Sequence, residues 1–205
     1  MTNTLAYLLD GKMYINLTNR CTNSCIFCLR NDKDDVCGKN MWLETENITA
    51  KEVIEQIEKL PISKEITFCG YGEPLLKLEV LKEVAKYLKE KHPDVKLRIN
   101  TNGHANFVYK KNIVEDLKGL IDTISVSLNA PTSEEYDELS QPSFKGAFDE
   151  VKKFIKASSN AGINTVATVV EGYKGRHLDL EKCEKIATDL GAKFRVREWI
   201  ENGYS

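Results

Sequence analysis

Of the six cysteines in the chain, three lie within eight residues, in Cys21-Thr-Asn-Ser-Cys25-Ile-Phe-Cys28. In a reducing compartment such a group serves metal binding or catalysis rather than disulfides. Three thiolates from one short loop suit an iron–sulfur cluster, whose irons take cysteine ligands. Supplying three ligands instead of four leaves one iron with an open position, which is where metal chemistry takes place. Two other readings compete. A structural zinc site would need a fourth ligand, and Cys37, His92, His104 and His177 are the candidates, none at a zinc-finger spacing. Inert, buried cysteines are the third reading.

The residues around the loop say what positions it. Residues 13–17 (Met-Tyr-Ile-Asn-Leu) form an apolar strand that delivers the cysteine loop, residues 18–30, at its C-terminal end. Parallel α/β folds place their active sites there. Thr49 and Glu52 make a capping box for a helix with Val53, Ile54, Ile57 and Leu60 on one face, stopped by Pro61. Strands are expected over residues 65–68, 95–100, 123–128, 164–170 and 193–199. Helices are expected over 78–91 and 108–118. Thr132 and Glu135 form a second capping box, followed by a longer helix that aligns Ala147, Val151, Phe154 and Ile155. A last helix carries Leu180, Cys183, Ile186, Ala187 and Leu190 and ends at Gly191.

Six strand–helix units in alternation predict an α/β fold with a parallel sheet. An eight-fold barrel typically needs about 250 residues, and the 205 residues here supply too few strands. The strands alternate in character. Lys96, Arg98 and Asn100 oppose Leu97 and Ile99; Ser125 and Ser127, with Asn129 beyond, oppose Ile124, Val126 and Leu128; Arg195 and Arg197 oppose Phe194 and Val196. With a period of two, each set lies on one face. A partial TIM barrel, (β/α)6, with helices outside and a polar concave chamber, accounts for that pattern; a sheet with one solvated face is the alternative.

The remaining bounds are broad. Lys+Arg 29 against Asp+Glu 31 leaves a net charge of -2 and no electrostatic footprint for nucleic acid. No apolar run approaches the roughly 20 residues of a membrane helix, and the first ten residues lack the basic start and apolar stretch of a signal peptide. The expectation is a single cytoplasmic domain over residues 1–205, with no membrane partner.

The C-x3-C-x-aromatic-C spacing at the end of the first strand, with Phe27 as the aromatic, resembles the radical S-adenosylmethionine (radical SAM) superfamily. That resemblance implies a 4Fe–4S cluster held by Cys21, Cys25 and Cys28, with S-adenosylmethionine (SAM) chelating the fourth iron. It implies an enzyme in which reductive cleavage of SAM gives a 5′-deoxyadenosyl radical that abstracts hydrogen from a substrate. Gly70-Tyr-Gly-Glu-Pro74 is similar to the family's glycine-rich element at the SAM amino group, so that Gly70, Gly72, Glu73 and Pro74 would line it and Glu73 would receive the ammonium. Thr101-Asn102-Gly103 resembles the family's T-N-G element, although Asn-Gly is also an ordinary turn. Ser127 and Asn129 would reach the SAM ribose or carboxylate. Glu171 lies where the family flanks the adenine, in a pattern that is not intact here. Arg195 and Arg197 would bind SAM or an anionic substrate, or form a solvated face. Cys183 and Cys69 read as packing residues, and Cys37 sits unassigned in a long polar loop, residues 30–47.

The segment from Tyr7 to Cys21 and the short chain, without a cysteine-bearing C-terminal extension, most resemble the TatD-associated radical SAM proteins. The compactness is also similar to glycyl-radical-enzyme activases and 7-carboxy-7-deazaguanine synthase. The resemblance implies a flavodoxin- or ferredoxin-like electron donor and association with a TatD-type hydrolase. Other readings are an activase-like protein acting on a protein partner, and a non-enzymatic iron–sulfur or zinc module such as an electron carrier. With two strands missing, the barrel is expected to be open laterally to a large substrate, unless residues 30–47 or the C-terminus seal it.

Overall fold

The computed structural model describes residues 3–36 and 38–200. Its first two strands, β1 (Ala6–Leu9) and β2 (Lys12–Ile15), form an antiparallel hairpin. Asp10 and Gly11 between them have φ of 50° and 72°, the pair of positive values that a tight two-residue hairpin turn requires. After the cysteine loop come two short antiparallel strands, β3 (Asp35–Val36) and β4 (Lys39–Asn40). The chain then alternates: α1 (Ala50–Ile57), β5 (Glu65–Phe68), α2 (Leu78–Lys91), β6 (Lys96–Thr101), α3 (Ala105–Tyr109), α4 (Val114–Leu117), β7 (Thr123–Ser127), α5 (Ser133–Ser140), α6 (Ala147–Asn160), β8 (Asn164–Glu171), α7 (Leu180–Asp189) and β9 (Lys193–Glu198).

One sheet runs β1-β2-β5-β6-β7-β8-β9, with β2 and its five successors parallel and in sequence order. This is the partial TIM barrel expected, with an antiparallel strand added at its start. Met13, Ile15, Ile66, Phe68, Leu97, Ile99, Ile124 and Val126 bury one face of the sheet among the apolar stripes of the helices. The alternate residues, including Asn16, Thr67, Asn100, Ser125 and Ser127, lie on the other face.

Where the structure departs from the sequence reading, a local cause is visible. The helix expected over 108–118 is two short helices, because Lys110 turns left-handed at φ 53° and caps α3. The longer helix expected after Thr132 is also two. Thr132 does accept the amide of Glu135, but α5 ends at left-handed Gln141 before Pro142, and α6 begins again at Ala147.

Residues 30–47 are not simply a polar loop. Val36, Met41 and Trp42 pack with Tyr7, Tyr14 and Tyr71 in a second apolar cluster. Tyr7 and Tyr14 stack across β1 and β2 at 5.5 Å, on the face opposite Met13 and Ile15. The segment therefore covers that face along β1 and β2. At the other end, the far edge of β9 has no strand partner among the described residues. Cys37 lies outside the described residues.

Candidate functional site

The cysteine loop leaves β2 with no regular structure of its own, so its shape is set by what it touches. Ser24 N–H donates to the carbonyls of Ser140 and Gln141, Ile26 N–H to Leu139, and Ser143 N–H to Thr22 O. These bonds lay the loop on the C-terminal end of α5. Arg30 fastens the other side: its guanidinium donates to the carbonyls of Asn19 at 3.2 Å, Asn23 at 3.1 Å and Tyr71 at 3.4 Å. The sequence reading missed Arg30, for which the only signal was a cation two residues past the third cysteine.

Cys21, Cys25 and Cys28 are all partly exposed free thiols. Burial, followed by the charges of Cys28 and Cys21, pushes the Cys25 thiol up to about 12. Burial and then the Glu73 charge raise Cys21. The sulfurs are thus close enough to oppose one another's ionisation, which bound cationic metal would reverse. Three thiols on one loop, one per iron, fit an iron–sulfur cluster, and two N–H groups already point at Cys21 Sγ, from Asn23 at 3.4 Å and Asn102 Nδ2 at 3.5 Å.

Gly70 and Gly72 follow β5, and both are required by close approach. A Cβ on Gly72 would lie 2.3 Å from Thr18 O and 2.6 Å from Arg20 O, and one on Gly70 would lie 2.0 Å from Asn16 Oδ1. The 70–74 segment thus presses against the cysteine loop backbone to backbone, and Glu73 N–H closes the seam on Arg20 O at 2.8 Å. Pro74 is buried and opens a 3-10 turn.

Glu73 is expected to receive an ammonium. The structure shows a carboxylate only 3% exposed, accepting from Thr101 Oγ1 at 2.7 Å, Asn102 N at 2.7 Å and Leu75 N at 3.0 Å. It ties the 70–74 segment to the Thr101-Asn102-Gly103 turn, and Oε2 retains a lone pair for one further donor. Burial pushes its carboxyl up to about 7, against the opposing pull of Asn102 N, Thr101 and Leu75 N.

The other expected residues are distributed unevenly. Asn102 reaches the cysteine loop through Thr22 Oγ1 at 2.8 Å as well as Cys21. Ser127 ends β7 half-buried. Asn129 is buried in a left-handed conformation and gives its side-chain amide to Ser140 Oγ at 3.0 Å. Phe27 meets Tyr173 edge-on at 6.1 Å, and the Tyr173 hydroxyl donates to Ile26 O at 2.8 Å. Arg195 and Arg197 are exposed on β9. Glu171 turns to its own loop, accepting from Leu178 N at 3.0 Å and meeting His177 Nδ1 at 2.6 Å.

Cys183 is buried in the core as expected. Cys69 is half-buried on the face opposite Phe68, where burial raises its thiol against the pull of a hydrogen bond with Asn100 and of the Arg197 charge, with the charges of Glu73 and Cys28 adding to the rise. The two buried amide oxygens of Asn16 and Asn23 have no hydrogen-bond partner, a cost that a donor on a bound ligand would relieve.

A cysteine loop at the C-terminal end of the first parallel strand, seated on a glycine-rich segment of a partial barrel, defines a metal-cluster α/β protein. The sequence model of the Radical SAM superfamily matches residues 15–190, and the chain belongs to that superfamily, whose cofactors are a 4Fe–4S cluster and SAM. The GTP 3′,8-cyclase of Nautilia profundicola is 26% identical over 193 residues, 92% of this chain and 56% of that protein. The FeMo cofactor biosynthesis protein NifB of Methanocaldococcus infernus is 28% identical over 125 residues, 58% of this chain and 40% of that protein. The structure of Streptococcus suis SuiB bound to S-adenosylmethionine aligns with a TM-score of 0.66 at 20% identity, covering 95% of this chain and 42% of that one. The chain thus spans only about half the length of the relatives it matches. Among the described residues, no helix is long and apolar enough to cross a membrane.

Proposed function

We propose that this chain is a radical SAM enzyme acting on an unidentified substrate, with Cys21, Cys25 and Cys28 as the ligands of the 4Fe–4S cluster. When bound, cluster and SAM together supply a 5′-deoxyadenosyl radical, formed with methionine by one-electron reductive cleavage of SAM, and this radical takes a hydrogen atom from the substrate. The observation that carries the reading is the seam between the cysteine loop and Gly72-Glu73. It is a backbone contact too close for any side chain, and it sets a glycine-rich surface against the start of the loop that carries the three thiols. A protein that only ferries electrons has no use for that surface.

The chain's own residues prepare the site. Arg30 and the end of α5 hold the thiols in place, Glu73 couples the glycine segment to Thr101 and Asn102, and the 30–47 segment covers one face of the sheet along β1 and β2. Arg195 and Arg197 offer exposed positive charge on β9 to an anionic group of SAM or of the substrate. The electron comes from a flavodoxin- or ferredoxin-like donor. The resemblance over residues 7–21 supports reading the chain as one of the TatD-associated group, with a TatD-type hydrolase as a partner.

The test is anaerobic reconstitution with iron and sulfide, then incubation with SAM and dithionite. Formation of 5′-deoxyadenosine is the expected result. An intact cluster that yields none overturns the proposal.

A further inference from the structure

Behind the first cysteine lies a closed chain of buried hydrogen bonds centred on a histidine. His104 is 0% exposed. Its Nδ1 meets Thr22 Oγ1 at 2.8 Å, and its Nε2 meets the Tyr136 hydroxyl at 2.9 Å. Asn102 Oδ1 accepts His104 N–H at 3.0 Å, so the amide cannot be flipped and Nδ2 must face the cysteine loop. There its two hydrogens are shared between Thr22 Oγ1 at 2.8 Å and Cys21 Sγ at 3.5 Å. Thr22 Oγ1 accepts from Asn102 and pairs with His104 Nδ1 whichever ring nitrogen carries the hydrogen. Tyr136 accepts from Asn23 Nδ2 at 3.0 Å. The chain ends in an N–H aimed at sulfur.

We propose that His104 is a positioning residue that sets the reduction potential of the cluster held at Cys21, acting through Thr22 and Asn102. The inference rests on the cluster reading above. An N–H donor at a ligating sulfur stabilises the more negative, one-electron-reduced cluster more than the oxidised one, so it raises the potential. Nδ1 of His104 holds the Thr22 hydroxyl, the Thr22 oxygen fixes one amide hydrogen of Asn102, and the planar amide leaves the other hydrogen on Cys21.

The experiment separates the two ring nitrogens. His104→Asn places its amide near the position of Nδ1 and keeps the Thr22 branch; His104→Gln reaches the position of Nε2 and keeps the Tyr136 branch. Each reconstituted protein is titrated anaerobically at a mediated electrode, which supplies the electron, and the cluster is followed by its visible bleaching. The expected result is a potential near wild type for H104N and a lower one for H104Q, equivalent to about a tenfold shift in the reduction equilibrium, ~59 mV for one electron. Thr22→Val should fall with H104Q and Thr22→Ser should not, an arm that leaves the histidine in place if its variants fail to fold. Equal potentials throughout, equal losses in both histidine variants, or a loss confined to H104N overturns the proposal while leaving the cluster reading intact. A wild-type protein that assembles no cluster overturns both.

Discussion

Gly72→Ala tests the seam on which the site is built. The new Cβ would stand 2.3 Å from Thr18 O, 2.6 Å from Arg20 O and 2.8 Å from Thr18 C. Ordinary C–H···O approaches are about 3.3–3.6 Å, so the two segments must part by roughly 1 Å. All three obstacles are backbone atoms, and no rotamer change can clear them. Parting the segments also breaks the adjacent bond from Glu73 N to Arg20 O, 2.8 Å long. Overpacking of this kind costs about 1–3 kcal/mol, and stranding the buried amide costs a further 1–3 kcal/mol or so. The reduced freedom of the unfolded alanine chain returns only about 0.4–1 kcal/mol. The net loss is therefore about 2–5 kcal/mol, read by urea unfolding of the metal-free protein, and iron per chain after reconstitution should fall with it. Gly119→Ala is the control. Its Cβ would meet nothing within 4 Å, though φ is +78°, so it should cost about 1–2 kcal/mol of backbone strain and leave iron binding unchanged. Full stability and full iron in G72A would refute the argument.

Three further outcomes are expected. His104 has its pKa lowered from 6.5 to about 4 by burial, so below pH 6.5 the unfolded chain takes up a proton that the folded protein refuses until about pH 4. Its contribution is complete above pH 6.5 and is lost as pH falls towards 4, by up to about 3 kcal/mol at 1.36 kcal/mol per unit; a stability difference between wild type and H104N that stays flat across this range contradicts it. Tyr136→Phe removes the hydroxyl that pairs with His104 Nε2 and accepts from Asn23 Nδ2, costing about 1–3 kcal/mol in chemical denaturation, and an unchanged midpoint counts against the network. Cys25→Ala should abolish cluster assembly, and retention of full iron would remove Cys25 from the ligand set.

The sequence made some parts of this molecule plain and hid others for physical reasons. The strand over 65–68 and the helix over 78–91 were readable to the residue, since periodicity and flanking residues agree there. The opening hairpin was also legible in principle: Asp10-Gly11 between apolar runs is a strong short-range turn signal, but β1 is four residues long and easily read as a leader to β2. The break at Lys110 was not legible, because a lysine in the left-handed region carries no compositional mark. In the site, the cysteine spacing and Gly-Glu-Pro announce themselves within a few residues. Arg30, Thr22, His104 and Tyr136 do not, because their roles depend on contacts spanning up to 113 positions, as between Asn23 and Tyr136. Glu73 shows the same limit: its residue type pointed to a ligand contact, and only the fold shows how many of its lone pairs the chain itself has already taken.

The way Arg30 grips three carbonyls has a bearing on the life of the protein in air. In small zinc domains the metal is the fold, and stripping it leaves a random chain. Here the loop is anchored by a guanidinium, by the end of a helix and by a glycine seam, none of which involves sulfur. Loss of a bound cluster is therefore expected to leave these three anchors of the loop in place.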